Sequence, residues 1–76
     1  MQISGTRSHI IVQFDHRSVK ITGELTTTPV FYADIISIKN WEPPYESVAI
    51  TEKEKEEIIK RVTEETKDKE VKIVFD

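Results

Sequence analysis

Apolar and polar residues alternate along the first half of the chain and take up helical spacing in part of the second. Between His9 and Asp15, Ile10, Val12 and Phe14 fall on one face at period two. Asp15-His16-Arg17-Ser18 follows as a polar turn. Val19, Ile21 and Leu25 then resume the alternation, with Lys20, Thr22 and Glu24 opposite. Two such runs joined by a short polar turn predict an antiparallel hairpin. Gly23 interrupts the second run and predicts a bulge or bend there. Gln2 to Arg7, with Gly5 inside it, reads as a short first strand or a loose lead-in.

Thr26 to Pro29 reads as a loop, because Pro29 pushes Thr28 toward extended backbone. Val30 to Asn40 predicts one or two strands. Within it Phe31, Ala33 and Ile35 share one parity, while Ile36 and Ile38 take the other. A regular strand with one buried face does not tolerate such a slip. Either both faces are covered, or a bulge or turn near Ala33-Asp34 resets the register; the reset is the favoured reading. Trp41 to Ile50 is irregular, since Pro43 and Pro44 lack backbone donors.

Thr51 then opens a helix, and Thr51 with Glu54 matches the capping box. Ile58, Ile59 and Val62 form its apolar stripe, extended by Thr66. Glu56–Lys60, Glu57–Arg61, Lys60–Glu64 and Arg61–Glu65 are opposite charges at helical spacing. Each such pair is worth roughly 0.2–0.5 kcal/mol, so the helix depends on docking its stripe. It should fade near Lys67 to Lys69. From Glu70 to Asp76, Val71, Ile73 and Phe75 alternate again and predict a last strand. If that strand runs parallel to a neighbour, the helix is its crossover, with right-handed sense. The pattern predicts an α+β fold: a curved, mostly antiparallel sheet of about four to six strands, one helix packed on it, and a C-terminal strand returning to the sheet.

Size narrows the functional options. The chain has 76 residues, one domain, and a chain this short buries only about 60% of its unfolded surface. A deep enclosed active site is hard to build at that size. With 37% hydrophobic and 33% charged residues, the composition is that of a folded soluble domain. Cysteine is absent, which removes disulfides and thiolate metal sites and fits a reducing compartment. No apolar run approaches the roughly 18 residues that span a bilayer, and the N-terminal stretch lacks signal-peptide features. The expected location is the cytoplasm, without membrane contact. A formal charge of −3 argues against general nucleic-acid binding and suits a basic partner, or solubility alone.

Catalytic chemistry is hard to find. His9 and His16 sit on either side of the hairpin turn with no carboxylate cluster at ligand spacing. No serine occupies a Gly-x-Ser-x-Gly elbow, and Gly5 and Gly23 are too few for a phosphate-cradling loop. Asp15-His16-Arg17-Ser18 contains the letters of a triad, but a triad is assembled in space rather than along consecutive residues. No catalytic residue, metal site or cofactor is expected. Two constellations remain. Glu52, Glu54, Glu56, Glu57, Glu64 and Glu65 line the helix, either as a solvated face or as a surface for a basic partner. Trp41, Pro43, Pro44 and Tyr45 form an aromatic and proline cluster that is either a structural plug or a contact patch. Trp41, Glu42, Tyr45 and Glu46 are the candidate partner-binding residues.

The same stretch resembles a known family. Ile38-Lys39-Asn40-Trp41-Glu42-Pro43-Pro44, the continuation Ile50-Thr51-x-x-Glu54 with Glu57-Ile58-Ile59, the hairpin segment Val19-Lys20-Ile21-Thr22-Gly23-Glu24 and the close Ile73-Val74-Phe75-Asp76 are similar to small bacterial immunity proteins of polymorphic toxin systems. The nearest is the immunity-protein-seventy-four family. At the hairpin turn, His16-Arg17 stands where a glycine would be natural. The resemblance implies a non-enzymatic protein that binds a cognate toxin domain, often a nuclease in such systems, and neutralises it in the cytoplasm. On the same resemblance, the toxin would be delivered by a neighbouring cell, as in contact-dependent inhibition, or made by the same cell. It assigns no contact residues. The alternative is an interaction module or adaptor that adds a strand to a partner sheet through Gln2 to Arg7 or Val71 to Phe75; self-pairing there would make a homodimer rather than a monomer.

Overall fold

The computed structural model describes residues 1–76. The alternating runs become β1 (Gln2–Gly5), β2 (His9–Gln13), β3 (Ser18–Leu25), β4 (Val30–Ala33) and β5 (Lys72–Phe75), with α1 (Glu52–Thr66) between the last two. Spatial order follows chain order, β1-β2-β3-β4-β5. The first three pairings are antiparallel and the fourth, β4 with β5, is parallel. Thus α1 is the crossover that a parallel pair requires. The fold is α+β, a curled mixed sheet with one helix, and its last strand lies in the sheet.

The period-two pattern selects which face is buried. Ile10 opposes Ile21 and Val12 opposes Val19 across β2 and β3, and all four are buried. Phe31 and Ile73 form the matching pair across β4 and β5. Ile58 and Val62 of α1 join the same cluster. On the opposite side Lys20, Thr22, Glu24 and Tyr32 stay exposed.

The expected bulge lies at Gly23. The amides of Gly23 and Leu25 donate to the carbonyls of Ser8 and Arg7 at 2.9 Å each, so two steps along β3 answer one step along the facing chain. A Cβ at Gly23 would collide with the Tyr32 carbonyl oxygen and the Phe31 ring. Leu25 keeps the expected core-side face, paired opposite Phe31, but it ends β3 beside an open cleft and is 37% exposed.

Three other expectations need correcting. Ile35 to Asn40 is not a second strand. The reset falls where the parity slips, but as one 3₁₀ turn over Ile35–Ser37, held by the Ser37 hydroxyl donating to the Asp34 carbonyl at 2.7 Å. The turn separates residues of like parity, leaving Ile36 79% exposed while Ile38 is buried. Second, none of the four helix ion pairs at four-residue spacing closes. The helix pairs are instead Glu52–Lys55 and Glu64–Lys67, at 3.4 and 3.1 Å, and Arg61 lies over Phe14 rather than beside Glu57 or Glu65. Third, Val71 precedes β5 and is exposed, not part of the buried face with Ile73.

Side-chain hydrogen bonds fix both ends of α1. At the start, the Glu54 amide donates to Thr51 Oγ1 at 3.1 Å and the Thr51 amide to Glu54 Oε1 at 3.0 Å. At the other end Thr66 is buried. Its hydroxyl donates to the Val62 carbonyl at 3.0 Å and accepts from the Ile73 amide at 3.3 Å, tying the helix end to β5. Thr66→Val keeps the shape but strands the buried Ile73 amide. It is expected to destabilise the fold by about 1–2 kcal/mol, read as a lower urea midpoint at unchanged slope.

Candidate functional site

The proline-rich segment Trp41 to Ile50 is pinned at its two ends. Asn40 and Ala49 form an isolated antiparallel bridge. The Trp41 amide donates to the Val48 carbonyl at 3.4 Å, and the Ile50 amide to the Lys39 carbonyl at 2.8 Å. Between these ties, Pro43 and Pro44 sit in a turn closed by the Tyr45 amide on the Glu42 carbonyl at 3.0 Å. The peptides Thr28-Pro29 and Pro43-Pro44 are cis. The Glu42 amide reaches across to the Ser18 carbonyl at 2.9 Å, which docks the segment against the start of β3.

That docking drives Trp41 into the core, where it is 4% exposed. Phe14, just past the end of β2, meets its ring edge to face, with centroids 6.0 Å apart and planes at 85°. The Arg17 guanidinium covers it, 4.2 Å from the ring centroid, and Arg61 from α1 lies 5.1 Å from the Phe14 ring centroid. Arg17 also reaches Glu54 at 3.6 Å. Glu54 therefore serves twice, capping α1 and anchoring the hairpin turn to it. The Trp41 Nε1 is buried without an acceptor, so the ring is placed by packing rather than by a hydrogen bond. A shallow cavity of about 230 Å³ opens beside this stack, bordered by Asp15, His16, Arg17, Glu54, Glu57 and Arg61 among others.

The four candidate contact residues therefore have different situations. Trp41 is a plug, screened from solvent beneath Arg17. Tyr45 is half-buried and packs against the core, Glu42 is half-buried, and Glu46 is exposed. Phe14, Arg17 and Arg61 belong to the same cluster, which pattern reading missed. A hint was available: Arg17 stands where the hairpin turn would favour a glycine, and its long side chain is spent on Trp41 and Glu54. His9 and His16 do not come together. The His9 ring contacts Thr6 Oγ1 at 3.2 Å in the first hairpin, while His16 borders the cavity beside Trp41.

A family model described as Immunity protein 74 matches residues 2–76. No curated protein and no solved structure matches.

Trp41→Ala is expected to cost roughly 3–5 kcal/mol, as for large buried aromatics, and to lower the melting temperature sharply. Arg17→Ala removes a cation–π contact and a part-exposed ion pair, so it should cost no more than about 1–2 kcal/mol. Comparable losses for the two variants would show that Arg17, rather than the buried indole, holds the segment.

Proposed function

The chain belongs to the immunity protein 74 family, and on that premise we propose that it binds a cognate bacterial toxin domain and neutralises it by covering the toxin's active surface. The family match over residues 2–76 carries this reading. The protein acts in the cytoplasm, by binding rather than by catalysis, and its target is a nuclease.

Charge supports the choice of target. A nuclease must present a basic cleft to its polyanionic substrate. This chain carries a net charge of −3. Glu52, Glu56, Glu57, Glu64 and Glu65 are all exposed on α1, and Glu46 is exposed on the segment that leads into it. Carboxylates on that helix and segment would occupy positions that nucleic-acid phosphates otherwise take, and would speed encounter with a basic surface. Glu42, Tyr45 and Glu46 form the near end of this contact face. Trp41 supports them from below.

The deciding experiment co-expresses the chain with the C-terminal domain of the toxin-like protein encoded beside its gene. Co-purification together with cell survival supports the proposal. Toxicity that persists at matched expression overturns it. For the face itself, Glu42→Lys with Glu46→Lys should shift the melting temperature by no more than about 4–8 °C, since surface changes cost little. The same double variant should slow association with the basic partner by about tenfold at low salt, with the difference shrinking as salt rises. An unchanged association rate would place the contact face elsewhere.

A further inference from the structure

The two edges of the sheet are not equivalent, and the difference shows where a partner strand fits. Just past β1 the Thr6 amide donates to the His9 carbonyl at 2.8 Å, and Gln2 and Ser4 share the parity of Thr6. Residues of that parity turn their backbone groups toward β2, so Ile3 and Gly5 turn their N–H and C=O groups to the open edge. In β5 the Asp76 amide donates to the Ala33 carbonyl at 2.9 Å. Ile73 and Phe75 therefore point outward, and the Ile73 amide is already held by Thr66 Oγ1 at 3.3 Å. Lys72 and Asp76 add charges there, whereas Met1 to Thr6 carries no charged side chain. Edge strands are normally blunted by charge or cover. Here β5 is blunted and β1 is not.

The open edge of β1 lines a cleft of about 490 Å³ between the two ends of the curled sheet. Ile10, Leu25 and Phe31 line it with β1, and Thr66, Val71 and Ile73 stand on its far side. Leu25 and Val71, both incompletely buried, thus expose apolar surface into the cleft that holds the free backbone groups. The far wall sets the occupant. A second copy's β1 would bring its own β2 behind it into that wall, whereas a single extended segment has nothing behind it. The carboxylates of α1, interleaved with Lys53, Lys60 and Arg61, adjoin the cleft through Glu65, with Lys69 beside it, which makes the cleft continuous with the surface assigned to the toxin.

We infer that this cleft receives one extended, largely apolar segment of the toxin domain, hydrogen-bonded to the Ile3 and Gly5 backbone as a sixth strand. The inference rests on the immunity reading. Such strand addition takes affinity from main-chain bonds and selectivity from alternate side chains, here those that reach Leu25 and Val71.

The test is residue-resolved amide exchange of the full chain, alone and with the toxin domain encoded beside its gene. The Ile3 and Gly5 amides should slow by at least about tenfold in the complex, as for newly bonded donors. A complex in which both exchange unchanged overturns the cleft and leaves the immunity reading standing. Absence of any complex overturns both. Ile3→Pro deletes an outward amide without touching the bonds to β2, and Ile3→Ala is its control for the lost side chain. With matched melting temperatures, Ile3→Pro should bind about tenfold more weakly than Ile3→Ala. Equal affinities would contradict the proposal.

Discussion

The fold depends on keeping Trp41 out of water. Burying a tryptophan removes about 150–250 Å² from solvent, worth about 4–6 kcal/mol at about 25 cal/mol per Å². A chain of this length has a net stability of only about 4–11 kcal/mol. One side chain is therefore comparable to the whole margin. Its position also joins parts of the chain that have no other reason to meet. Phe14 and Arg17 bring the hairpin turn to it, Glu42 ties its segment to β3, and Arg17 reaches on to the helix cap at Glu54. A single helix on one face of a curled sheet leaves the sheet's two ends unjoined, and this cluster closes the end where the β2–β3 turn lies. At the other end Thr66 links α1 to β5, but nothing closes the space between β5 and β1.

Local patterns in the sequence carried most of the architecture. Alternation at Ile10, Val12, Val19, Ile21 and Ile73 marks side chains that are buried, because period two has only one meaning when a single face is covered. The Thr51–Glu54 cap was legible because both of its bonds lie within four residues. The parity slip after Ala33 marked the reset, but not its form. A 3₁₀ turn and a bulge disturb the alternation alike, and the backbone bonds from Ser37 to Asp34 and from Ile38 to Ile35 distinguish them. Alternation placed Leu25 on the right face, opposite Phe31, but could not show that this end of the sheet lies open, which leaves Leu25 incompletely buried.

The candidate site was less legible, and the reason is distance along the chain. Trp41 stood out by type, yet its partners Phe14, Arg17 and Arg61 lie far from it in sequence. Each looked locally like something else: a strand residue, a turn residue, a helix charge with a partner at Glu57 or Glu65. The edge asymmetry was equally hidden. Both edges were visible as candidate pairing strands, but only the register shows that Thr66 guards one while Ile3 and Gly5 leave the other open.

A plugged end, a carboxylate-rich helix and an open cleft are the features on which the proposed binding role rests. The most direct test titrates purified chain into its cognate toxin domain and follows the toxin's activity. Binding-based neutralisation predicts a linear fall that reaches zero near one equivalent. Activity that survives a large excess, or that disappears far below one equivalent, would contradict it.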